Sequence, residues 1–294
     1  MDERILAAGR LASEALEHGA SLIVEGARVD ETIDAIESFV LERDALVAFP
    51  PQISMGAFAA HDTARIEDER VLEGVVKLDI GVCVDGFIGD NALTVDLSGE
   101  HSALLDACRD ALDNAIAAAS PKGPIDEVSR AIEDTIRAAG FRPVANLSGH
   151  GLSRYEIHTR PNIPNVAGAH GVLEPGMTVA IEPFATTGFG RIRDVGDPEV
   201  FRQSAKRSVR DPITRKALAL IARRNGMPFS ARWLARETGA VRAKHALNVL
   251  VQNQVISSYA PLREVQDGIV AQFERTIHVL DDRIVVTTPW QWPK

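Results

Sequence analysis

The stretch KLDIGVCVDGFIGD, residues 77–90, decides how this chain folds. Val84-Asp85-Gly86-Phe87 has the form of a two-residue hairpin turn, because Asp-Gly tolerates the positive φ of a type I′ turn. Pairing Val84 with Phe87 puts Asp79 opposite Ala92 and Asp90 opposite Gly81. The two aspartates then sit diagonally on one face of the hairpin, about 7 Å apart. Their cross-strand partners are Ala and Gly, so space is left above them. Carboxylates are almost never buried alone. Two so close repel unless a proton or a cation lies between them. A solvated hairpin face is the other reading, and the rest of the chain has to decide between them.

The chain has 294 residues, 45% hydrophobic and 25% charged, which is a soluble globular composition with ample material for a core. No apolar run approaches the ~18–20 residues of a membrane span, and MDERILAAGR has no signal-peptide core. With only Cys83 and Cys108 there is no disulfide framework and no thiolate zinc site, so a cytoplasmic setting is expected. The net charge is −9, unevenly spread. Residues 200–245 hold twelve Lys/Arg against Asp211 and Glu237, so this segment is +10 and the remainder −19. That asymmetry points to an inserted module or a surface with its own partner.

Periodicity and caps predict helices at 2–18, 30–43 (capped by Asp30), 101–119 and 124–139. Strands are expected at 75–83 and 87–97. FPPQISM, 49–55, reads as extended, residues 146–165 as irregular and turn-rich, and LEPGMTVAIEPF as a turn and strand. Three helices at 212–224, 230–238 and 240–253 follow, with Asp211-Pro212 as a start signal. A strand, turn and strand at 268–289 close the chain.

Few other chemistry-bearing side chains interrupt the apolar strands. Glu182 lies in MTVAIEPF, Glu274 in VAQFERTI, and His150 in SGHG, where flanking glycines permit close backbone approach. With Asp79 and Asp90 they make four carboxylates and one imidazole. This oxygen-rich set suits Mn, Co, Fe or Zn, and two such ions would balance its charge.

In this order, KLDIGVCVDGFIGD, NLSGHGLSRYEIH, AIEPFA and QFERTI resemble the methionine aminopeptidases of type 2, in their compact archaeal form. The resemblance spans essentially the whole chain. It implies an α+β pita-bread (creatinase/aminopeptidase) fold, a curved antiparallel sheet flanked by helices. The catalytic domain would comprise 1–187 and 268–294, with a small, mainly helical, winged-helix-like insert at 188–267. It implies two divalent metals, with Asp79 chelating one, Asp90 and Glu274 bridging, and His150 and Glu182 on the other. A metal-activated water would be the nucleophile and Glu182 the proton shuttle. His158 in YEIH would stabilise the oxyanion, a role that needs a donor, and His61 in AAHDTA would line the site as the second histidine. Phe49, Ile157 and Tyr259 would wall the methionine pocket. The expected partner is the N-terminus of nascent polypeptides, with ribosome or rRNA contact through 200–245, no membrane, and a monomeric state.

Two departures stand out. SMGAFAAH lacks the family's asparagine before AAH, at the pocket edge. Arg275 replaces the usual histidine after the last glutamate, where strand alternation points it away from Glu274. The alternatives are a proline-specific peptidase on the same fold, which usually carries a large N-terminal domain, and a catalytically silent pita-bread protein binding RNA or the ribosome, for which lost ligands would be the mark. His278 and Cys83 read as structural.

Overall fold

The computed structural model describes residues 1–290. In chain order the elements are α1 (Glu3–Leu22), α2 (Val29–Leu41), β1 (Leu46–Val47), β2 (Gln52–Met55), β3 (Phe58–Ala60), β4 (Val75–Val84) and β5 (Phe87–Asp96). Then come α3 (Ser102–Ala118), α4 (Ile125–Ala138), β6 (Arg142–Pro143), β7 (Ser148–Ser153), β8 (Glu156–Pro164), β9 (Thr178–Ile181) and β10 (Phe184–Thr186). After β11 (Ile192–Asp194) and β12 (Val200–Gln203) lie α5 (Pro212–Ala222), β13 (Phe229–Ser230), α6 (Ala231–Thr238), α7 (Ala240–Gln252) and β14 (Ile256–Tyr259). Strands β15 (Leu262–Glu264), β16 (Val270–Gln272), β17 (Glu274–Val279) and β18 (Ile284–Val286) finish the described residues.

The β4–β5 hairpin has the register expected from its Asp-Gly turn: Val84 pairs with Phe87, Asp79 with Ala92 and Gly81 with Asp90. It seeds an antiparallel sheet running β1-β4-β5-β17-β9-β7-β8, with β2 also on β4 and β18 on β17. Alternation sorts its side chains. Val76, Leu78, Ile80, Leu93, Ile277 and Val279 face the helices, where they bury against Leu16, Ile33, Ile36, Leu104 and Ile132 in one apolar core. Each such side chain contributes on the order of 1.5–3 kcal/mol through burial. The opposite face carries Lys77, Asp79, Asp90 and Glu274. Helix α1 lies so close to β5 that a Cβ at Gly89 would stand 2.6 Å from the Gly9 Cα.

Two local expectations need correction. Residues 146–165 are not irregular but form the β7–β8 hairpin. Register shifts around His150 and Gly151 interrupt the alternation by which a strand is recognised. The hairpin tip is fixed from outside: Tyr155 holds φ 59°, and its N–H donates to the Gly86 carbonyl of the first hairpin at 2.8 Å. Asp30 does not cap α2. Arg28 occupies the cap position, and Asp30 sits in the first turn paired with the Arg28 guanidinium at 2.9 Å.

The helices α5 to α7 pack with a small β13-β12-β14 sheet around Phe201, Ile221, Phe229, Leu247 and Leu250. The expected start is present, since Asp211 accepts from the Thr214 N–H at 2.7 Å. This unit docks on α2 through charge. Glu37 accepts from Arg232 at 2.9 Å, from the Trp233 indole at 2.8 Å and from Arg236 at 3.2 Å, and both arginines also bond Asp34. Arg232 and Glu37 are both buried, and removing either leaves the other with one remaining counter-charge, Asp34 or Arg236, so the cost falls below the ~3–5 kcal/mol of a fully stranded buried ion. Part of the basic segment is thus spent on the acidic body of the protein itself. No helix among the described residues is long and apolar enough to cross a membrane.

Candidate metal centre

Two adjacent rungs of the sheet build the site. On one, Gln52, Asp79, Ala92 and Glu274 are successive cross-strand partners on β2, β4, β5 and β17. On the next, Gly81 pairs with Asp90, while His150 and Thr276 both pair with Ala180. The Thr276 hydroxyl bridges the gap, accepting from the Asp90 N–H and donating to the Asp90 carbonyl, both at 2.8 Å. The small residues Gly81, Ala92 and Ala180 leave the rungs open between the acids. Glycines also let His150 in, as anticipated: a Cβ at Gly149 would be 2.3 Å from the Ala180 oxygen, and one at Gly151 equally close to the Arg160 oxygen.

Asp90, His150 and Glu274 each offer a ligand atom within 4.8 Å of the others. Glu182, just past β9, brings Oε1 to 3.5 Å from His150 Nε2, and Asp90 Oδ2 lies 3.9 Å from the same nitrogen. Asp79 joins through Gln272, whose Nε2 donates to both Asp79 and Glu274 at 3.4 Å. All five residues expected as ligands therefore converge.

Their electrostatics show what the cluster lacks. Burial raises the Asp79 carboxyl to about 7, against a small opposing effect of Gln272. Burial, then the neighbouring acids, pushes Asp90, Glu182 and Glu274 well above the usual carboxylate range. His150 is held down to about 3, first by burial and then by His158. Asp79 Oδ1, Asp90 Oδ1 and Glu274 Oε1 are buried with no hydrogen-bond partner. Native proteins rarely leave such atoms unpaired unless an ion takes them. Four clustered acids, three orphaned oxygens and a neutral imidazole fit divalent cations.

Around this floor lies a cavity of about 280 Å³, near the small end of ligand sites. Its walls include Phe49, Ile157, Phe184, Val200, Pro228 and Tyr259. His158, on β8, stands edge-on to His150 with ring centroids 4.5 Å apart, and burial followed by Arg202 lowers its pKa. His61 packs against Tyr259 at 5.5 Å and is pushed to about 4, mainly by burial. It holds a positive φ of 62°, and its N–H donates to the Gln52 side chain. Every expected pocket residue, Tyr259 included, thus lines one cavity.

The expectations for the neighbours fit the structure. Arg275 turns away from the acids and bonds the Trp290 carbonyl, His278 bonds Thr178 at 2.9 Å, and Cys83 is buried in apolar packing. Sequence reasoning missed three polar supports. Gln272 sits two residues before Glu274, on the same strand face, which is a readable signal. Gln52 lies opposite Asp79, which is legible only once β2 is paired. Asn165 donates to the Glu182 carbonyl at 3.3 Å and accepts from the Phe184 N–H at 2.8 Å, from a loop that alternation does not describe.

This arrangement has known counterparts. The sequence profile of metallopeptidase family M24 matches residues 3–279. A protein of Thermococcus onnurineus named methionine aminopeptidase is 41% identical over 296 residues, covering 98% of this chain and 100% of its own length. Among solved structures, a thermophilic Arx1 superposes with a TM-score of 0.86 at 17% identity, over 99% of this chain and 91% of the other. The methionine aminopeptidase of Thermotoga maritima superposes with a TM-score of 0.70 at 22% identity, over 97% and 95%. The structural likenesses speak for the fold, the pita-bread arrangement expected from the motifs. With a profile match over most of its length, a relative this similar end to end, and its acids gathered at one buried floor, the chain belongs to metallopeptidase family M24.

Proposed function

We propose that this protein is a cytoplasmic methionine aminopeptidase, acting as a monomer, that removes the initiator methionine from nascent chains when the second residue is small. The observation that carries the reading is the convergence of Asp79, Asp90, His150, Glu182 and Glu274 at the floor of an apolar-walled cavity. Full-length relatives named methionine aminopeptidase support it.

These five residues would hold divalent cations, two to balance the four carboxylates and drawn from Co, Mn, Fe or Zn, which would supply Lewis acidity toward a water and a carbonyl. The protein's own groups do the rest. Phe49, Ile157 and Tyr259 enclose the methionine side chain, whose unbranched thioether suits a deep apolar slot. Glu182 takes the proton of the attacking water and returns it to the leaving amine, as a carboxylate facing the same floor as the other acids can. His158 is neutral at pH 7, and its N–H donates to the oxyanion that forms on the scissile carbonyl. His61, also neutral, lines the same cavity beside Tyr259. The second-residue subsite discriminates by size, because one misfit methylene costs ~1–3 kcal/mol.

Residues 188–267 act as the insert subdomain, and their exposed cations are offered to ribosomal RNA. The charge asymmetry supports this, but Arg224 and Arg232 are engaged internally, so the surface test belongs to Lys206, Arg210, Arg215 and Arg223. Loss of salt-dependent ribosome co-sedimentation in a four-fold Ala variant is the expected result, and unchanged binding removes the docking role.

For the activity, Met-Ala-Ser and Ala-Pro peptides are offered to the protein with added Mn²⁺ or Co²⁺. Release of methionine is expected. Cleavage of Ala-Pro instead would make it a proline-specific peptidase, and turnover of neither would favour a binding protein.

A further inference from the structure

Arg224 follows α5 and does not itself line the cavity, yet its guanidinium reaches the pocket wall. Its Nη2 donates to the Val47 carbonyl at 2.6 Å and the Ala48 carbonyl at 3.2 Å, the two peptide groups just before Phe49. Nη2 and Nε also donate to the Pro228 carbonyl, at 3.2 and 3.3 Å. Phe49 and Pro228 both line the cavity, and Met227 packs in one apolar cluster with Ala48, Phe49 and Ile157. Among the described residues, Arg224 has no carboxylate within ion-pair distance.

What holds the guanidinium is instead the face of Trp233, 4.9 Å from the ring centroid, and that indole is tied to Glu37 of α2. Arg202 pins the same loop by donating to the Gly226 carbonyl at 3.1 Å. Burial lowers the Arg224 pKa to about 10, so the charge persists at neutral pH. A planar cation with several fixed donors can hold two chain segments at one spacing, which a point charge such as Lys cannot.

We infer that Arg224 is a positioning residue that sets specificity: by clamping the Val47, Ala48 and Pro228 carbonyls, it fixes the separation of Phe49 and Pro228 and so the width of the subsite for the N-terminal side chain. The inference rests on the reading that this cavity receives that side chain. Arg224 touches neither the acids nor the cavity floor, so its loss acts on side-chain binding and leaves metal binding and the chemical step alone.

The test uses manganese-loaded protein and the Arg224→Met and Arg224→Lys variants. Wild-type turnover of Met-Ala-Ser tests the functional reading by itself. Affinity for free L-methionine, measured by calorimetry, tests the clamp without the chemistry. For Arg224→Met the expected result is a roughly tenfold rise in KM for Met-Ala-Ser and a similar loss of L-methionine affinity. kcat should stay within about threefold and Mn²⁺ affinity should not change. The preference for Met-Ala-Ser over Leu-Ala-Ser should shrink by about tenfold. Arg224→Lys should fall between, recovering part of both affinities. Should Arg224→Met not fold, Arg224→Lys decides, and at least a threefold loss of L-methionine affinity is expected of it. Wild-type KM, methionine affinity and Met/Leu preference in a folded variant would overturn the inference, as would a fall in kcat and Mn²⁺ affinity with KM unchanged.

Discussion

The ring of Phe49 lies where a side chain at position 81 would stand. A Cβ built on Gly81 would come within 2.3 Å of Phe49 Cε1. Gly81 is also the cross-strand partner of Asp90. The missing side chain at 81 therefore lets the pocket wall lie flat on the sheet beside the acids.

Gly81→Ala should displace Phe49 while leaving the five ligands in place. The overpacking costs about 1–3 kcal/mol. Peptide kinetics should show KM for Met-Ala-Ser raised at least fivefold, with Mn²⁺ stoichiometry unchanged. Combining it with Phe49→Leu, which frees the space, should recover part of the lost affinity.

His150 and His158 touch edge to face but should fail differently. His150→Ala should lose Mn²⁺ by metal analysis and lose nearly all turnover. His158→Ala should keep its metal and lose turnover mainly in kcat, by about a hundredfold, as expected when a donor to developing charge is removed. A His158→Ala enzyme with parental kcat would remove that residue from the chemistry.

Metal loading should be linked to protons. Burial holds Asp79 near 7 and raises Asp90, Glu182 and Glu274. A carboxyl whose folded pKa exceeds its unfolded value destabilises the fold as pH rises from the unfolded value, ~4, through the folded one. The EDTA-treated protein should therefore lose thermal stability between pH 5 and 8, and Mn²⁺ should abolish that loss. Cations must displace these protons, so Mn²⁺ affinity should weaken as pH falls below about 7. Calorimetry in two buffers of different ionisation enthalpy should detect proton release at pH 6.

Glu264 gives the opposite sign. Burial alone would raise its pKa, but four backbone N–H groups, of Gln266, Gly268, Phe189 and Gly190, outweigh that and lower it. The stability it contributes is present above the unfolded carboxyl value and is lost as pH falls through the folded one. Glu264→Gln should cost ~3 kcal/mol at pH 7 by denaturant unfolding, because a side-chain amide presents N–H groups to donors. The difference from wild type should shrink toward pH 3.

Asp79, Asp90, Glu182, Glu274 and His150 were legible in the linear sequence because each breaks an apolar strand or sits between glycines. The Asp-Gly turn likewise determined the register that places the two aspartates on adjacent rungs. These are local consequences of backbone geometry, and short-range rules suffice for them. What surrounds the acids was decided by the tertiary structure. Gln272 bridges Asp79 and Glu274, residues almost two hundred positions apart in the chain. The β7–β8 hairpin depends on Tyr155 reaching the turn of another hairpin. Arg224 and Arg232, in the sequence merely members of a basic segment, are committed to carbonyls and to Glu37 on elements far away. Alternation and turn chemistry say which face a residue takes, but only packing says what stands opposite. A buried polar group must find its partner wherever the fold brings one within ~3 Å, irrespective of sequence distance.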